Sequence, residues 1–542
     1  MMGVPTKGAK VSEIPATQHA IQFVGADEII VNPAKPVDPV GPTQMLLKVE
    51  ACGICFSDTK LLHAFDKHPR KTEVTRGLDA EALAGIPSYH PGAQPVTPGH
   101  EPVARVVVAG DEVKHFKVGD RVLVQADWKH IRTANSNAAF GYNFDGALQE
   151  YVVVDERCVV APDGEQFLIH VAEGPSAAAI GLIEPWATVE GSYAWKERAH
   201  VADGGRLLVV GEGSVDALVA EHAPTEIVRA ASAAEADGVF DDIVYFGSDA
   251  ATIEALLDKL TLRGVLCLVL AGGRIERKVS VDVGRIHYDF IRICGTTGSD
   301  AQDGYSWIPA TGEVRDGNDI AIIGAAGPMG TMHTIRNAVL EREGLKITAT
   351  DLSTDRLNHL RTLVDPRAAE RGVEVRYVNT ADEQLTPGFT YIACMVPVPA
   401  IVAGLVELAG EGAIVNAFAG IPVGNPHELD LNHVIANRVF MFGTSGSDVS
   451  DMRTVLKKIE DGIIDTHISL DAITGMAGFP DAIQAVMDRT SGGKIMVFPS
   501  LTDLPYLRLG ELAERLPHVA AELADGVWTN RAEAALLGGT AQ

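Results

Sequence analysis

The distribution of apolar and polar residues divides the chain into two kinds of sequence. Up to about residue 190, short apolar runs such as MLLKVEACG and DRVLVQ are separated by glycine and proline, which is typical of an irregular, mostly β domain. From about Arg206 onward, apolar strands such as RLLVVG, DIVYFG and DIAIIGAAG alternate with stretches rich in alanine and leucine. That alternation predicts parallel βαβ units, and therefore an α/β fold with a doubly wound sheet.

The α/β part contains an internal repeat. GVLCLVLAG (264–272) matches GAIVNAFAG (412–420), and ICGTTGSD (293–300) matches MFGTSGSD (441–448), both at an offset of 148 residues. The glycine-rich turns at Gly211 and Gly324 lie only 113 residues apart, so the first copy is about 35 residues shorter in its front half. We read residues 301–318 as a linker between the copies and LGELAERLPHVAAEL as an amphipathic helix packed on the body.

The second copy carries the features of a dinucleotide site. A strand-like run is followed by a Gly-x-x-Gly-x-x-Gly turn, whose residues are Gly324, Gly327, Pro328, Met329 and Gly330. Glycines permit a tight turn close to a pyrophosphate, and the following helix N-terminus stabilises its charge. Asp351, at the end of the next strand, is placed to accept hydrogen bonds from a ribose and would repel a 2′-phosphate, so NAD is favoured over NADP. A glycine-rich turn without a ligand is the alternative to this Rossmann domain.

The first copy has Gly211-x-Gly213 but places Asp216 where a third glycine would stand, and its next strand-like run, TEIVRAA, ends without an acid. A carboxylate at that position would face the phosphates of a dinucleotide. We interpret this copy as a truncated Rossmann relic, kept for packing or for an interface.

Cys52 and Cys55 are close together in the sequence, whereas the other cysteines lie in apolar runs and are expected in the core: Cys158, Cys267, Cys294 and Cys394. No second Cys-x-x-Cys accompanies the pair, which argues against a structural zinc site. A catalytic zinc takes about three protein ligands and one open position. Cys55, His100 and one carboxylate would supply them, and Glu184 is the natural third because it closes the β domain.

Several segments occur together in an order that resembles the zinc-dependent medium-chain dehydrogenases/reductases, in particular their sugar and polyol branch: ACGICFSD, PGHEPVARVVVAGDEV, KVGDRV, GALQEYVVV, EPWATVE and GGKIMVFP. The resemblance implies a GroES-like β-rich catalytic domain plus a doubly wound Rossmann domain, to which this chain adds the truncated copy. The domains expected are a catalytic domain at 1–195, a degenerate copy at 200–300, an NAD-binding domain at 318–450, and a return to the catalytic domain with a helical tail at 465–542.

Carried over by position, the resemblance implies zinc ligands at Cys55, His100 and Glu184. It also implies Ser57 as proton relay, Asp58 as a residue that orients a ligand, and no catalytic role for Cys52. Glu101 would either support the ligands from behind or be an exchangeable ligand. Ala104 stands where the family usually has glycine, and the four-cysteine zinc lobe is absent, so at most one zinc per chain is expected. In place of the lobe, residues 126–146 could line the substrate mouth or form an ordinary loop.

The implied function is hydride transfer between the secondary alcohol of a polyol or sugar and NAD, with zinc as Lewis acid. The basic run at residues 67–71 could hold a sugar phosphate or be a solvated loop. The alternatives are a secondary-alcohol or diol dehydrogenase, and a non-catalytic dinucleotide-sensing or assembly protein. The resemblance further suggests a homo-oligomer, dimer or tetramer, paired through edges of the Rossmann sheet, unless the first copy covers that edge.

Charge and hydropathy restrict the partners. The chain has 45 Lys+Arg against 72 Asp+Glu, a formal net charge of −27, which argues against binding to nucleic acid or to an anionic membrane surface. No uninterrupted apolar run reaches the ~18 residues of a membrane span, and the first residues lack the apolar stretch of a signal peptide. A cytoplasmic protein is therefore the expectation.

Overall fold

The polypeptide forms one unit from its two ends and a second unit from its middle. The computed structural model describes residues 14–538. Unit 1 comprises the chain up to Ala187 and from Ser447 onward, and unit 2 comprises Thr188–Gly446. Among the described residues, no helix has the length and apolar character needed to cross a bilayer.

Short strands dominate the N-terminal part of unit 1. They are β1 (Thr17–Gly25), β2 (Glu28–Pro36), β3 (Gln44–Ile54), β4 (Val74–Arg76), β5 (Glu101–Ala109), β6 (Arg121–Val124), β7 (Asp127–Thr133), β8 (Asn137–Ala139), β9 (Tyr151–Asp155) and β10 (Leu168–His170). The helices are α1 (Phe56–Ala64), α2 (Ala80–Ala84), α3 (Glu156–Val159), α4 (Ala177–Gly181) and α5 (Ile183–Ala194), with 3-10 turns at Phe65–Lys67 and Pro69–Lys71. This part agrees with the predicted irregular β domain.

Unit 2 alternates strands and helices. Its strands are β11 (Arg206–Val210), β12 (Glu226–Ala230), β13 (Phe240–Phe246), β14 (Leu260–Val269), β15 (Val279–Asp282), β16 (Arg292–Thr296), β17 (Asp319–Ile323), β18 (Lys346–Asp351), β19 (Glu374–Asn379), β20 (Phe389–Cys394), β21 (Ala409–Asn416), β22 (Pro426–Leu429) and β23 (Phe440–Phe442). Its helices are α6 (Ala250–Leu257), α7 (Val283–Tyr288), α8 (Ala301–Ser306), α9 (Pro328–Val339), α10 (Thr354–Arg371), α11 (Pro399–Leu408) and α12 (Leu431–Ala436), with a 3-10 turn at Ala233–Glu235.

The C-terminal part returns to unit 1. It contains α13 (Val449–Glu460), β24 (Leu470–Thr474), α14 (Phe479–Met487), β25 (Lys494–Val497), β26 (Leu507–Arg508), α15 (Leu512–Arg515), α16 (Pro517–Ala520) and α17 (Asn530–Leu536), with 3-10 turns at Thr466–Ser469 and Leu509–Glu511. The single amphipathic helix expected over LGELAERLPHVAAEL is wrong: Pro517 starts a new helix, so the segment forms α15 and α16, with Leu512 and Val519 buried.

The main sheet of unit 1 has eight strands in the order β10-β6-β5-β3-β25-β24-β26, with β9 also paired to β3. Strand β3 (QMLLKVEACGI) lies in the middle of the sheet, and all of its residues except Lys48 and Glu50 are buried. Strands β5 and β25 pair with β3 antiparallel, and both begin beside the last residues of β3. Gly53 lies opposite Glu101, and Ile54 lies opposite Ile495.

Unit 2 contains two parallel sheets that share one hydrophobic cluster. The larger sheet has the order β19-β18-β17-β20-β21-β23 and the smaller the order β12-β11-β13-β14-β16. The smaller sheet has no counterpart of α10 or β19, which accounts for most of its shorter front half. The predicted α/β fold with a complete and a truncated Rossmann-like copy is confirmed.

The predicted linker at residues 301–318 contains ordered structure. Ala301–Ser306 form a helix, Tyr305 is fully buried, and its hydroxyl donates a 2.8 Å hydrogen bond to Asp242. Only a few residues of this segment are apolar, so its sequence did not predict the packing of Tyr305.

Candidate functional site

Three potential metal ligands meet where β3 ends and β5 begins. Cys55 caps the N-terminus of α1 directly after β3, and His100 and Glu101 stand at the start of β5. One ligand atom from each of these residues lies within 4.8 Å of the other two, and we call Cys55, His100 and Glu101 the donor group. The antiparallel pairing of β3 with β5 brings these donors together, although about 45 residues separate them in the sequence.

Glu101 is held inside the protein by a cation. Its side chain is fully buried, and Oε1 accepts a 2.6 Å bond from Lys494 Nζ, which also donates to the carbonyl of Ile54 at 2.8 Å. The other oxygen, Oε2, is buried and has no hydrogen-bond partner among the described residues. Gly53 makes room for it, since a Cβ there would lie 2.2 Å from Oε2.

Asp58 orients two of the donors. Its Oδ1 lies 3.1 Å from His100 Nδ1, and its Oδ2 accepts the backbone N–H of Cys55 at 2.8 Å. When a carboxylate accepts a hydrogen bond from Nδ1–H, the other ring nitrogen, Nε2, carries the lone pair, as in imidazoles that bind metals. Burial lowers the pKa of His100, but the nearby Tyr142 oxygen and the Asp58 carboxylate outweigh it and raise that pKa well above its usual value.

Glu184, the predicted third ligand, lies in the first turn of α5 and is partly exposed. Glu184 is not a member of the donor group, in which Glu101 is the carboxylate. It is nevertheless near: burial and the Glu101 charge raise the pKa of Glu184 to about 7, against the opposing charges of His100 and Lys494. Burial lowers the pKa of Lys494, but the Glu101 charge outweighs it and raises that pKa above its usual value.

The donor set fits a zinc ion. A thiolate, an imidazole and a carboxylate are the ligand types that zinc prefers, and the buried Oε2 of Glu101 lacks the partner that a buried polar atom requires. Cys55, Ser57 and Glu184 are partly exposed, whereas His100 and Glu101 are buried, so the group opens on one side. Ser57 Oγ lies 3.0 Å from His100 Nε2 on that side.

Cys52 lies outside the donor group, as the resemblance implied. It is fully buried, and a Cβ on Gly99 would contact its sulfur at 2.9 Å. Burial raises the pKa of its thiol. The remaining cysteines are also buried, as expected for core residues: Cys158, Cys267, Cys294 and Cys394.

Tyr142 is a site residue that the sequence did not single out. It lies in the segment 126–146 and is 3% exposed, with its ring centroid 5.4 Å from that of His100. The segment is held there by glycine packing, because a Cβ on Gly146 would lie 2.3 Å from the carbonyl oxygen of Gly99. Much of it is a β hairpin, β7 and β8, which pairs with β4. The segment therefore borders the donor group.

The basic run at 67–71 divides into separate roles. Lys71 is fully buried and donates to the carbonyls of His90, Gly92 and Gln94 at 2.6–2.9 Å, so it crosslinks a loop. The Arg70 guanidinium lies 5.4 Å from the ring centroid of Tyr142.

Arg70 also bonds the Asp127 carboxylate at 3.2 Å. Burial and the charge of Arg70 lower the pKa of His68 to about 4. The Tyr142 ring joins this group to the donor group, since its centroid is 5.2 Å from that of His68.

The predicted dinucleotide turn lies in unit 2, at the carboxyl end of β17. The strand order reverses there, since β18 and β20 flank β17 on opposite sides, and such crevices bind ligands in doubly wound sheets. Gly324 has φ +78°, and a Cβ on Gly330 would lie 2.1 Å from the Gly324 carbonyl oxygen, so both glycines are required. Gly327 caps α9, and Pro328 and Met329 begin that helix. The backbone therefore fits a pyrophosphate.

Asp351 ends β18, as predicted, and is 5% exposed. Its Oδ1 accepts a 2.5 Å bond from Arg356 Nη2 and a 3.1 Å bond from the Ser353 N–H. The sequence analysis missed Arg356, which lies in the first turn of α10. A cation beside this carboxylate bears on the choice between NAD and NADP, since arginines accommodate a 2′-phosphate.

The first copy lacks these features. No helix follows its turn in the described residues 211–225, and the ring of Phe246 fills the space beside Gly213, where a Cβ would lie 2.2 Å from it. Strand β12 ends at Ala230 without an acidic residue. The truncated copy therefore has neither a helix N-terminus nor an acid for a dinucleotide.

Comparisons with known proteins agree with this geometry. Residues 41–163 match the alcohol dehydrogenase GroES-like domain family. Mannitol-1-phosphate 5-dehydrogenase of Aliivibrio fischeri is 30% identical over 250 residues, 41% of this chain and 57% of that protein. D-altritol 5-dehydrogenase of Agrobacterium fabrum is 30% identical over 146 residues, 25% of this chain and 36% of that protein. The chain thus spans about half the length, or less, of these curated relatives.

Among solved structures, that of 2R,3R-butanediol dehydrogenase from Bacillus subtilis superposes with a TM-score of 0.52 at 16% identity, covering 89% of this chain and all of that chain. This likeness concerns the fold. Residues 41–163 are therefore a GroES-like domain of the alcohol dehydrogenase type, and the resemblance of the chain to the zinc-dependent medium-chain dehydrogenases/reductases, including their sugar and polyol branch, is confirmed.

Proposed function

We propose that the chain is a zinc-dependent dehydrogenase that transfers hydride between the secondary alcohol of a polyol or sugar and NAD. The observation that carries this proposal is the group of Cys55, His100 and Glu101, with a buried carboxylate oxygen that lacks a partner. The two relatives reported above, whose names are those of polyol dehydrogenases, support the substrate class. The catalytic residues lie in the segments 1–195 and 465–542, and the cofactor in 318–450.

Cys55, His100 and a carboxylate, Glu184 or Glu101, would hold the zinc, which would supply Lewis acidity toward the alcohol oxygen, and the dinucleotide would supply the hydride acceptor. The residues of the chain do the rest. Ser57 Oγ stands beside His100, where it takes the proton of the alcohol and passes it toward solvent. Asp58 fixes the orientation of His100 through Nδ1 and that of the Cys55 backbone.

Lys494 holds Glu101 in place and keeps its charge compensated when the carboxylate is not a ligand. In unit 2, Gly324, Gly327 and Gly330 admit the pyrophosphate at the start of α9, where Pro328 and Met329 form the first turn. Asp351 accepts the ribose hydroxyls of NAD.

Arg70 favours a phosphorylated substrate. Its guanidinium lies 5.4 Å from the Tyr142 ring centroid beside the donor group and bonds the Asp127 carboxylate at 3.2 Å, so the side chain already binds an anionic oxygen at this position, and a substrate phosphate is a second anion that it can bind. Lys71 takes no part, because its ammonium is occupied by three carbonyls. We expect Arg70→Gln to raise KM for a sugar phosphate at least ~10-fold and to leave KM for the free polyol nearly unchanged.

The function is tested by NAD-linked oxidation of a panel containing sorbitol, mannitol, their phosphates and 2,3-butanediol. We expect turnover of a polyol or its phosphate, loss of zinc and of turnover in Cys55→Ser, and retention of both in Cys52→Ala, since Cys52 lies outside the donor group. Preference for butanediol supports the diol alternative. A zinc-loaded, folded protein with no turnover on any member of the panel supports the non-catalytic alternative.

A further inference from the structure

The two Rossmann-like copies keep the same elements in their rear halves. Residues 264–300 and 412–448, which match at an offset of 148, each form a strand, a short strand, a short helix and a further strand. The equivalent elements are β14 and β21, β15 and β22, α7 and α12, β16 and β23. An aspartate, Asp282 in the first copy and Asp430 in the second, caps each short helix with its side chain.

These equivalent elements face one another about a local twofold axis. Strands β15 and β22 pair antiparallel, and Ser280 is opposite Glu428, which is its own equivalent in the second copy. The flanking pairs obey the same symmetry: Val279 is opposite Leu429, and Val281 is opposite His427. Val279 therefore meets the equivalent of Val281, and Val281 meets the equivalent of Val279. Such reciprocal pairing is the property of an isologous interface.

Contacts away from the strands are also reciprocal. A Cβ on Gly295 would lie 3.1 Å from the Ile435 side chain, and a Cβ on Gly443 would lie 2.8 Å from His287 Cα. Gly295 and Gly443 are equivalent positions, as are His287 and Ile435. Each glycine therefore admits the short helix of the other copy, as expected when two like subunits pack around a twofold axis.

The contact between the copies has an apolar, buried centre. Ile286 and Ile293 of the first copy belong to the same hydrophobic cluster as Val434 and Met441 of the second, and all four are at most 7% exposed. Removing the first copy would expose this part of the cluster to water.

The first copy keeps the elements of the contact but lacks elements of the dinucleotide site. It retains β15, α7 and β16, which contact the second copy, together with β11, β12, β13, β14 and α6, whereas the helix after the glycine turn, α10 and β19 have no counterpart. A copy that has lost the helix of the dinucleotide turn and kept the contact elements fits a pairing role.

We propose that the first copy is a built-in pairing partner, which occupies within one chain the face that β22, α12 and β23 would otherwise offer to a second subunit. It follows that this chain does not associate with another copy of itself through that face. The homo-oligomer implied by the family resemblance, if it forms, uses another surface. This inference is independent of the proposed reaction.

The test places a disulfide on the local axis. In Ser280→Cys/Glu428→Cys the two Cα atoms are direct partners in antiparallel strands, within the ~4.4–6.8 Å that a disulfide spans, and neither side chain is buried. We expect oxidation of the full-length double variant to give a single-chain species that contains this disulfide, identified by peptide mass. A covalent dimer, or no disulfide, overturns the proposal.

The single variant Glu428→Cys is the matched control. If β22 paired with β22 of a second chain, position 428 would face itself across the axis, and this variant alone would form a covalent dimer. We expect it to remain monomeric on a non-reducing gel, as should Ser280→Cys. A covalent Glu428→Cys dimer would show that the face is free to pair between chains and that the first copy is not its partner.

Discussion

Loss of Lys494 tests the role of the buried pair that supports the donor group. Lys494 and Glu101 are 5% and 0% exposed, and Lys494→Met leaves the Glu101 carboxylate buried without its cation. Breaking a buried pair by removing one partner costs about 3–5 kcal/mol, because the remaining charge is neither solvated nor paired. At roughly 2–3 °C per kcal/mol for a unit of this size, the Tm of unit 1 should fall by ~6–15 °C in zinc-free protein.

Zinc should reduce this loss, since a dication beside Glu101 replaces the missing charge. The double variant Glu101→Gln/Lys494→Met removes both charges and should recover most of the loss, so the two substitutions should be strongly non-additive. Lys278→Met is the control: it breaks an exposed pair with Glu407 and should leave the Tm nearly unchanged.

The assay is calorimetry, with and without zinc, of the wild type, Glu101→Gln, Lys494→Met, their double variant and Lys278→Met. The transition of unit 1 is followed separately because a chain of two units need not unfold in one step. Additive effects, or a Lys494→Met transition within ~2 °C of the wild type in zinc-free protein, would refute the view that Lys494 compensates a buried carboxylate.

Three further predictions concern unit 2. Gly330→Ala should weaken NADH binding at least ~10-fold by fluorescence titration, because its Cβ would lie 2.1 Å from a backbone oxygen, while Gly404→Ala, with open space around it, should not; equal affinities would contradict the assigned turn. Asp351→Ser frees Arg356 for a 2′-phosphate and should lower the NADH/NADPH ratio of kcat/KM at least ~10-fold; an unchanged ratio would remove Asp351 from the ribose site. Burial and the charge of a neighbouring arginine lower the pKa of His333 to about 3, so the unfolded state binds a proton that the folded state does not, and stability falls as pH drops below ~6.5. From pH 7.5 to 5.0 the urea-unfolding free energy of the wild type should fall by about 2 kcal/mol more than that of His333→Asn, which keeps the contributions of the other titrating groups; identical pH dependence in both would contradict it.

The sequence predicted correctly those features whose residues lie close together along the chain. The Gly-x-x-Gly-x-x-Gly turn, its strands and the acid at Asp351 lie within about 35 residues, and the structure places them as expected. The internal repeat also predicted the second sheet and its truncation, since deletion of α10 and β19 leaves a gap that an alignment of the chain with itself detects.

The sequence did not predict side-chain contacts between residues that only the folded structure brings together. Lys494 reaches Glu101 because β25 and β5 both pair with β3, and nothing near residue 494 in the sequence announces a charge partner almost 400 residues away. Tyr142 reaches the site because Gly146 packs on Gly99, and Arg356 reaches Asp351 from the next helix. The choice between Glu101 and Glu184 as carboxylate ligand stays open, since both lie near His100 and the ligand set predicted from sequence remains a prediction.

The measurement that tests the central claim most directly is the zinc content of the purified chain, determined by mass spectrometry after dialysis against metal-free buffer. The donor group of Cys55, His100 and a carboxylate predicts about one zinc per chain in the wild type and in Cys52→Ala, and essentially none in Cys55→Ser. A folded wild-type protein that retains no zinc when the metal is supplied, or a Cys55→Ser variant that retains it fully, would contradict the account.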